Sequence, residues 1–269
     1  MSGFVAALPM YDWPEVQAGT DAQWARLRDA LRIRGIDAPV HVARRNADLP
    51  PVPGGIRDAE GTPIAPDPAT LPPDGLDLTA LWLHPALLLG ETCWGPMGLG
   101  LARYVQVVGQ PDYSSVEGGQ GQLYSSAILM RADPAMRRDG VAAPDDGRPV
   151  IPLEDLLGKR FAYNSADSMS GILALMRDLE AMGESIGVFS DRVETHGHRA
   201  SIIAVADGHA DACAVDCRSW ALARCFEPKA RHVEVVGWTA RRRGLPFITA
   251  RTTPGEIAAI LREVLAANP

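Results

Sequence analysis

The chain has 269 residues, 46% of them hydrophobic and 22% charged, which excludes a disordered chain and suits a packed protein of two lobes. A formal net charge of −7, with no basic run longer than Arg241–Arg243, argues against nucleic acid and against an anionic membrane surface as partners. No stretch approaches the roughly 18 apolar residues that span a membrane, and four cysteines make no disulfide scaffold in a chain this long.

The first half of the chain predicts a strand over residues 3–8 and then a helix that begins near Pro14 and ends near Gly35. Residues 1–10 lack the basic start and apolar run of a secretory signal. We therefore expect a cytoplasmic protein as written, or a periplasmic one if a leader was trimmed. Proline and glycine crowd residues 46–77, which predicts a long irregular excursion.

Strands and helices alternate in the remainder, as expected of parallel α/β architecture. A strand or short helix is predicted over 81–89, strands over 104–109, 124–130, 161–164, 210–215, 233–238 and 245–249, and helices over 170–182, 201–206, 219–225 and 256–267.

The most informative segment runs from Asn164 to Gly171, where a strand end leads into a helix whose first turn holds Ser168 and Ser170. Amides in the first turn of a helix lack intrahelical partners and attract an oxyanion. The serine hydroxyls add donors, and Gly171 lets a ligand approach the backbone. An ordinary N-cap explains the same residues equally simply.

Two further clusters have both a structural and a functional interpretation. His196 and His198 lie in a polar turn that opens a helix, but their i, i+2 spacing is not that of a helical zinc site, and we predict no metal and no cofactor. Asp216 closes an apolar strand, where ligands of open α/β sheets gather. It is equally suited to cap the helix predicted near Ser219.

The signatures of several enzyme classes are absent from the sequence. Neither glycine-rich segment, at Gly98 or at Gly119, has the third glycine of a dinucleotide fingerprint, and Gly158-Lys159 has no glycine five residues before it, as a phosphate-binding loop requires. The chain also lacks the Gly-x-Ser-x-Gly elbow of serine hydrolases.

Several motifs in order carry a resemblance to a known family. They are Ala7-Leu8-Pro9-Met10-Tyr11-Asp12, Glu91-Thr92-Cys93-Trp94-Gly95-Pro96, Gly121-Gln122-Leu123-Tyr124-Ser125-Ser126, Asn164 with Ser168-x-Ser170-Gly171, Gly197-His198-x-x-Ser201, and Gly208-x-Ala210-Asp211 with Val215-Asp216. From about residue 3 to 250 the chain resembles the phosphonate/phosphate-binding component of ABC importers (PhnD-like), a family of type II periplasmic binding proteins.

The resemblance implies a Venus flytrap of two α/β lobes, 1–123 with 250–269 and 124–249, joined by crossing strands over 124–130 and 245–251. It implies a non-enzymatic monomer that captures a small oxyanion between its lobes by domain closure and presents it to an ABC permease. The implied ligand-binding residues are Tyr11, Thr92, Tyr124, Asn164, Ser168, Met169, Ser170, Gly171, His198 and Asp216.

A carboxylate such as Asp216 accepts a hydrogen bond from an oxyanion only if that anion carries a proton, which favours phosphate and phosphonates over sulfate. Asp167 lies within the same loop and would oppose a dianion if it pointed inward. Two other functions fit the scaffold: a cytoplasmic enzyme resembling menaquinone- or pyrimidine-precursor enzymes, with His198 or Asp216 as base, and a sensor whose closure a partner protein reads.

Overall fold

The computed structural model describes residues 3–132 and 140–268. Two compact units make up the chain: Met1–Pro111 with Leu245–Pro269, and Asp112–Gly244. The lobe boundaries predicted after residues 123 and 249 lie later in the chain than these bounds. The segment predicted to cross over 124–130 contains strands of the second unit, and the segment predicted over 245–251 contains a strand of the first unit. Each of these segments begins shortly after the chain passes from one unit to the other.

Within the described residues the strands are short and are numbered in chain order: β1 Val5–Ala7, β2 Ile56–Arg57, β3 Pro63–Ala65, β4 Leu87–Glu91, β5 Val105–Gly109, β6 Gly119–Gln120, β7 Leu123–Tyr124, β8 Ser126–Arg131, β9 Arg160–Tyr163, β10 Asp191–Glu194, β11 Ala212–Asp216, β12 Val233–Trp238, β13 Arg242–Arg243 and β14 Phe247–Ala250. The α-helices are α1 Gln17–Ile33, α2 Leu78–Trp82, α3 Trp94–Gly98, α4 Leu153–Leu156, α5 Ala174–Ala181, α6 His198–Asp207, α7 Cys217–Phe226 and α8 Gly255–Ala267. A π-helical turn spans Met169–Leu173, and 3-10 turns span Pro14–Val16, Asn46–Asp48, Pro68–Thr70, Leu101–Arg103, Ile186–Val188 and Pro228–His232.

The first unit is built on a sheet of order β1-β4-β14-β5, in which β1 and β4 are parallel and β14 is antiparallel to both neighbours. Helix α1 follows Pro14, as predicted, and buries Trp24, Leu27 and Leu31 in one core cluster with α8. The segment predicted as strand or short helix over 81–89 is both, because α2 ends at Trp82 and β4 begins at Leu87.

The excursion over residues 46–77 is mostly irregular, as its composition predicts, but it contains the β2–β3 hairpin, a two-stranded sheet of its own. Asn46 ties its two ends together: its side-chain amide donates to Pro72 O at 2.8 Å, and its Oδ1 accepts from Asp77 N at 2.8 Å. Asn46 is therefore buried although it is polar.

The second unit is built on a sheet of order β10-β9-β11-β8-β12. Strands β10, β9 and β11 are parallel, whereas β8 is antiparallel to β11 and β12. The sheet is therefore mixed and not purely parallel as the alternation predicted. Strand β8 enters this sheet from β7, a strand of another sheet, and it runs opposite to β11 and β12, a direction that the local alternation of strands and helices does not encode.

Two helices of the second unit differ from the sequence prediction at their N-termini. The helix predicted over 170–182 starts as the π-helical turn and becomes α-helical at Ala174. The helix predicted from residue 201 starts at His198, because polar residues in the first turn carry no apolar periodicity to reveal it. Among the described residues, no helix has the length and apolar character needed to cross a membrane.

A buried ion pair joins α5 to β13, and a hydrogen bond from a backbone amide joins α5 to the segment before β13. Asp178 Oδ1 pairs with Arg242 Nη2 at 2.6 Å, and Asp178 Oδ2 accepts from Ala240 N at 2.8 Å. The Asp178 side chain is 5% exposed and that of Arg242 21%. Replacing Asp178 by alanine is expected to lower the free energy of unfolding by about 2–4 kcal/mol in urea titrations, because a largely buried guanidinium loses its counter-ion.

The matched control for Asp178→Ala is Asp146→Ala. The Asp146–Arg148 pair is exposed on both sides. Its removal is expected to change the free energy of unfolding by less than about 1 kcal/mol. Equal losses in the two variants would show that the Asp178 pair does not stabilise the second unit.

Candidate functional site

Polar residues gather at one edge of the second unit's sheet, where its three parallel strands end. Asn164 follows β9, the loop of Thr195 to Gly197 follows β10, and Asp216 is the last residue of β11. Carboxyl ends of parallel strands are where open α/β sheets bind ligands. The predicted positions Asn164, His198 and Asp216 thus belong to one sheet edge.

The serine-rich turn after β9 forms a helix start with unusual hydrogen bonding. Ser168 is the N-cap, and its Oγ accepts from Gly171 N at 3.0 Å. Leu173 N donates to Ser168 O, which closes the wider π-helical turn. The amides of Met169 and Ser170 lie ahead of the first intrahelical bond and point out of the helix end. Such π-helical turns are rare and are frequently found at functional sites.

Gly171 lies against Asn164. A Cβ placed on Gly171 would lie 1.9 Å from Asn164 Oδ1, closer than a real Cβ approaches, and 3.0 Å from Ser168 Oγ, which is a tight contact. Only glycine therefore lets the helix start approach the end of β9 this closely. The sequence predicts that Gly171 lets a ligand approach the backbone. In the structure, the side chains of Asn164 and Ser168 lie beside Gly171.

His198, the first residue of α6, connects the serine-rich turn to Asp216. His198 Nε2 lies 3.0 Å from Ser170 Oγ and 3.5 Å from Asp216 Oδ2. Asp216 is itself the N-cap of α7, accepting from Ser219 N at 2.9 Å and from Ser219 Oγ at 2.6 Å. Asp216 therefore both caps α7 and lies beside His198.

The imidazole of His198 has both oxygen neighbours on one nitrogen, which favours the tautomer protonated at Nε2. Ser170 Oγ then accepts from the ring, and its own hydroxyl hydrogen is left available to donate. Burial lowers the pKa of His198 below its ordinary value, although the charge of Asp216 opposes that shift. The ring is neutral at neutral pH.

Several buried polar atoms at this edge have no hydrogen-bond partner within the described part of the chain: Asn164 Oδ1, His198 Nδ1 and Ser126 Oγ. Ser126 lies directly opposite Asp216 in the β8–β11 pairing. Unsatisfied buried polar groups are rare in proteins, and each needs an explanation, among them a bound water or ion or a functional role. Ser126 belongs to one of the motifs that carry the family resemblance, but the sequence does not predict it as a site residue. Its buried hydroxyl and its position opposite Asp216 are seen only in the structure.

The other predicted positions divide between the two units. Tyr124 ends β7 and is buried, two residues before Ser126. The Met169 side chain is buried and lies 3.6 Å from Arg177 Nη1 through its sulfur. Tyr11 and Thr92, both buried, belong to the first unit, where they follow the parallel strands β1 and β4. Thr92 N donates to Pro246 O, while its buried Oγ1 has no partner among the described residues.

Lowering the pH is expected to destabilise the protein through His198. The pKa of His198 is lowered in the folded state, so the unfolded chain takes up a proton first as the pH falls below about 6.5. Stability is then lost by up to about 1.4 kcal/mol per pH unit until the folded pKa is reached. Urea titrations between pH 7.5 and 5.0 should show a shallower loss for His198→Gln than for the unmodified protein.

His209→Gln is the control for this titration, since His209 is an exposed histidine of the same unit. That variant should follow the unmodified protein at every pH. If His198→Gln also keeps the full pH dependence, then His198 is not the group that titrates.

Comparison with known proteins identifies the family. Residues 101–268 match the model of the family described as "ABC transporter, phosphonate, periplasmic substrate-binding protein". The chain belongs to this family. It is a family of transport proteins and not of enzymes, which leaves the alternative of a precursor-converting enzyme unsupported. No curated protein matches the chain.

Solved structures share the fold. PhnD1 from Prochlorococcus marinus, solved in complex with methylphosphonate, is 15% identical at a TM-score of 0.62, with 98% of this chain and 84% of that chain covered. The binding component of an ABC phosphonate transporter from Pseudomonas aeruginosa is 14% identical at a TM-score of 0.57, with 98% and 74% covered. These matches confirm the predicted type II periplasmic-binding-protein fold. The family is periplasmic, and the comparisons give the cytoplasmic expectation no support.

Proposed function

We propose that this protein captures a small oxyanion of the phosphate, phosphite or phosphonate type and delivers it to an ABC permease. The observation that carries the proposal is the convergence of Ser170, His198 and Asp216 at an open helix start. Ser170 Oγ and the amides of Met169 and Ser170 supply donors to anionic oxygens. Helix α6 adds a second N-terminus, for which no side chain of the described residues serves as cap.

Asp216 would give this site its selectivity. Its carboxylate lies among donors, at 3.5 Å from His198 Nε2. A fully ionised sulfate meets repulsion there, whereas a singly protonated phosphate or phosphonate donates a hydrogen bond to the carboxylate. Asn164 Oδ1 and His198 Nδ1, both buried and unpartnered in the described chain, are additional acceptors for such a proton. The site thus favours an anion that both accepts and donates hydrogen bonds.

The arrangement supports binding and not nucleophilic catalysis. In a serine–histidine–aspartate triad, the serine and the carboxylate contact opposite nitrogens of the imidazole. Here Ser170 and Asp216 both lie nearest Nε2. A proton taken from Ser170 would therefore not be stabilised through the far nitrogen.

We further infer that the protein is a monomer, that Tyr11, Thr92 and Tyr124 also contact the ligand, and that capture uses domain closure. Binding contributions from both units would favour the closed state by their differential affinity. X-ray scattering should give a smaller radius of gyration with saturating methylphosphonate than without it. An unchanged radius would contradict closure but not binding.

Isothermal titration calorimetry with phosphate, phosphite, methylphosphonate and sulfate tests the proposal. At least one of the first three should bind saturably with one site per chain, and sulfate should bind more weakly. At a ligand concentration of one hundred times Kd, the folded state should gain about 2.7 kcal/mol. Absence of binding by all three, or equal binding of sulfate, would contradict the proposed function.

A further inference from the structure

A cavity in the first unit has no part in the site described above. Its volume is about 770 Å³, and it lies between the β2–β3 hairpin and the segments around Leu83, Tyr104 and Arg251. This volume falls in the range of pockets that bind small organic molecules. One wall of the cavity belongs to the proline- and glycine-rich excursion over residues 46–77. The proposed oxyanion site includes no residue of this excursion.

The hairpin wall is held mainly by its own bonds. In the described part of the chain, β2 and β3 pair only with each other. Arg57 Nη1 donates to Gly61 O at 2.7 Å, and Asp58 Oδ1 accepts from Glu60 N and Thr62 N. A hairpin of this size is marginal in isolation. Here it forms one wall of the cavity, and these contacts hold its shape.

The opposite wall is rigid. Arg251 N donates to Tyr104 O at 2.9 Å. The side-chain amide of Gln106 donates to the carbonyl oxygens of Ala250, Arg251 and Thr253. Residues 104 and 251 therefore present their side chains from a braced backbone, which lowers the entropy lost on binding.

The cavity is positively charged and partly apolar. Arg57, Arg103 and Arg251 line it, against the two carboxylates of Asp58 and Glu60. None of these three guanidinium groups forms an ion pair with any described residue, and Asp58 is engaged by two backbone amides of the hairpin turn.

The apolar lining comes from both walls. Ile64 and Leu83 contribute aliphatic surface, and the ring of Tyr104 lies 4.8 Å from the guanidinium carbon of Arg103. A guanidinium that rests on an aromatic ring keeps its edge N–H groups free to donate to an anion. The surface combines donors for a negative group with a face for a flat apolar body.

We propose that this cavity is a second binding site, which takes an organic anion with an aromatic or aliphatic body. Arg103 and Arg251 hold the anionic group, and Ile64 and Leu83 pack against the body. The ligand is larger and more apolar than the small oxyanion proposed for the second unit. The two proposals rest on different residues in different units and stand or fall separately.

Fluorescence titration with 1-anilinonaphthalene-8-sulfonate tests this proposal, because that probe joins a sulfonate to aromatic rings. The double variant Arg103→Gln/Arg251→Gln should weaken its binding at least tenfold. The control is Arg26→Gln/Arg262→Gln, which removes two exposed arginines of the same unit outside the cavity and should leave Kd within twofold. N-phenyl-1-naphthylamine, the same body without the sulfonate, should bind both double variants alike.

Saturable binding of one sulfonate probe per chain, weakened only by the cavity variant and not displaced by excess methylphosphonate, supports the second site. Three results would overturn it: no saturable binding, equal weakening in the control variant, or an unchanged Kd in the cavity variant. Displacement by methylphosphonate would also overturn it, since the probe would then occupy the other site. Thermal unfolding of each variant verifies that it is folded.

Discussion

Replacing Gly171 by alanine is expected to reduce methylphosphonate affinity at least 100-fold, equivalent to about 2.7 kcal/mol. The new methyl group would meet Asn164 Oδ1 at 1.9 Å, so the Asn164 side chain, the helix start or the end of β9 must move. Any of these movements changes the surroundings of the Met169 and Ser170 amides or removes the Asn164 side chain from its position beside them. Because both neighbours are packed, the same change should also lower the free energy of unfolding by about 1–3 kcal/mol.

Gly19→Ala is the matched control for Gly171→Ala. Gly19 lies in α1 of the first unit, and a Cβ there meets no atom within 4 Å. Alanine suits a helix better than glycine does, so this variant should lose no stability and should keep its affinity for methylphosphonate. Calorimetry at a temperature where both variants are folded separates binding from stability. Unchanged affinity in Gly171→Ala would remove the serine-rich turn from the site.

Asp216→Asn is expected to narrow the preference for phosphate over sulfate by at least tenfold. Asparagine caps a helix as well as aspartate does, so the bond from Ser219 N is retained and the fold is stable. The negative charge beside His198 disappears, and with it the repulsion of a fully ionised anion. Sulfate should therefore gain affinity while phosphate loses its acceptor.

The control for this change is Asp191→Asn, which removes one negative charge from an exposed residue of β10. It should leave the phosphate-to-sulfate ratio of Kd values unchanged. If Asp216→Asn leaves the ratio unchanged as well, then Asp216 is a cap for α7 and nothing more.

The elements of the fold follow closely from the sequence where burial leaves a pattern. Helix α1 shows its apolar face through Trp24, Leu27 and Leu31, and β5 shows itself as a β-branched run between turn residues. The direction of β8 has no local signature, because antiparallel pairing depends on how the chain enters the sheet. The early start of α6 is hidden for a similar reason, since its first residues are polar.

Several residues of the candidate site can be predicted from the sequence, but the contacts between them cannot. Ser168, Ser170 and Asp216 are marked by their positions at helix starts and strand ends. The contact of His198 Nε2 with Ser170 Oγ joins residues 28 positions apart, and no spacing predicts it. Ser126 has no local signal either, since only the β8–β11 register places it opposite Asp216.

The proposed capture requires an anion to contact the helix start that follows Ser168. Amide ¹H–¹⁵N chemical shifts recorded during a methylphosphonate titration test this most directly. The largest changes should occur at Met169, Ser170 and His198, and they should saturate at one ligand per chain. Saturable binding that leaves those three amides unmoved, with the largest shifts elsewhere in the chain, would contradict the account.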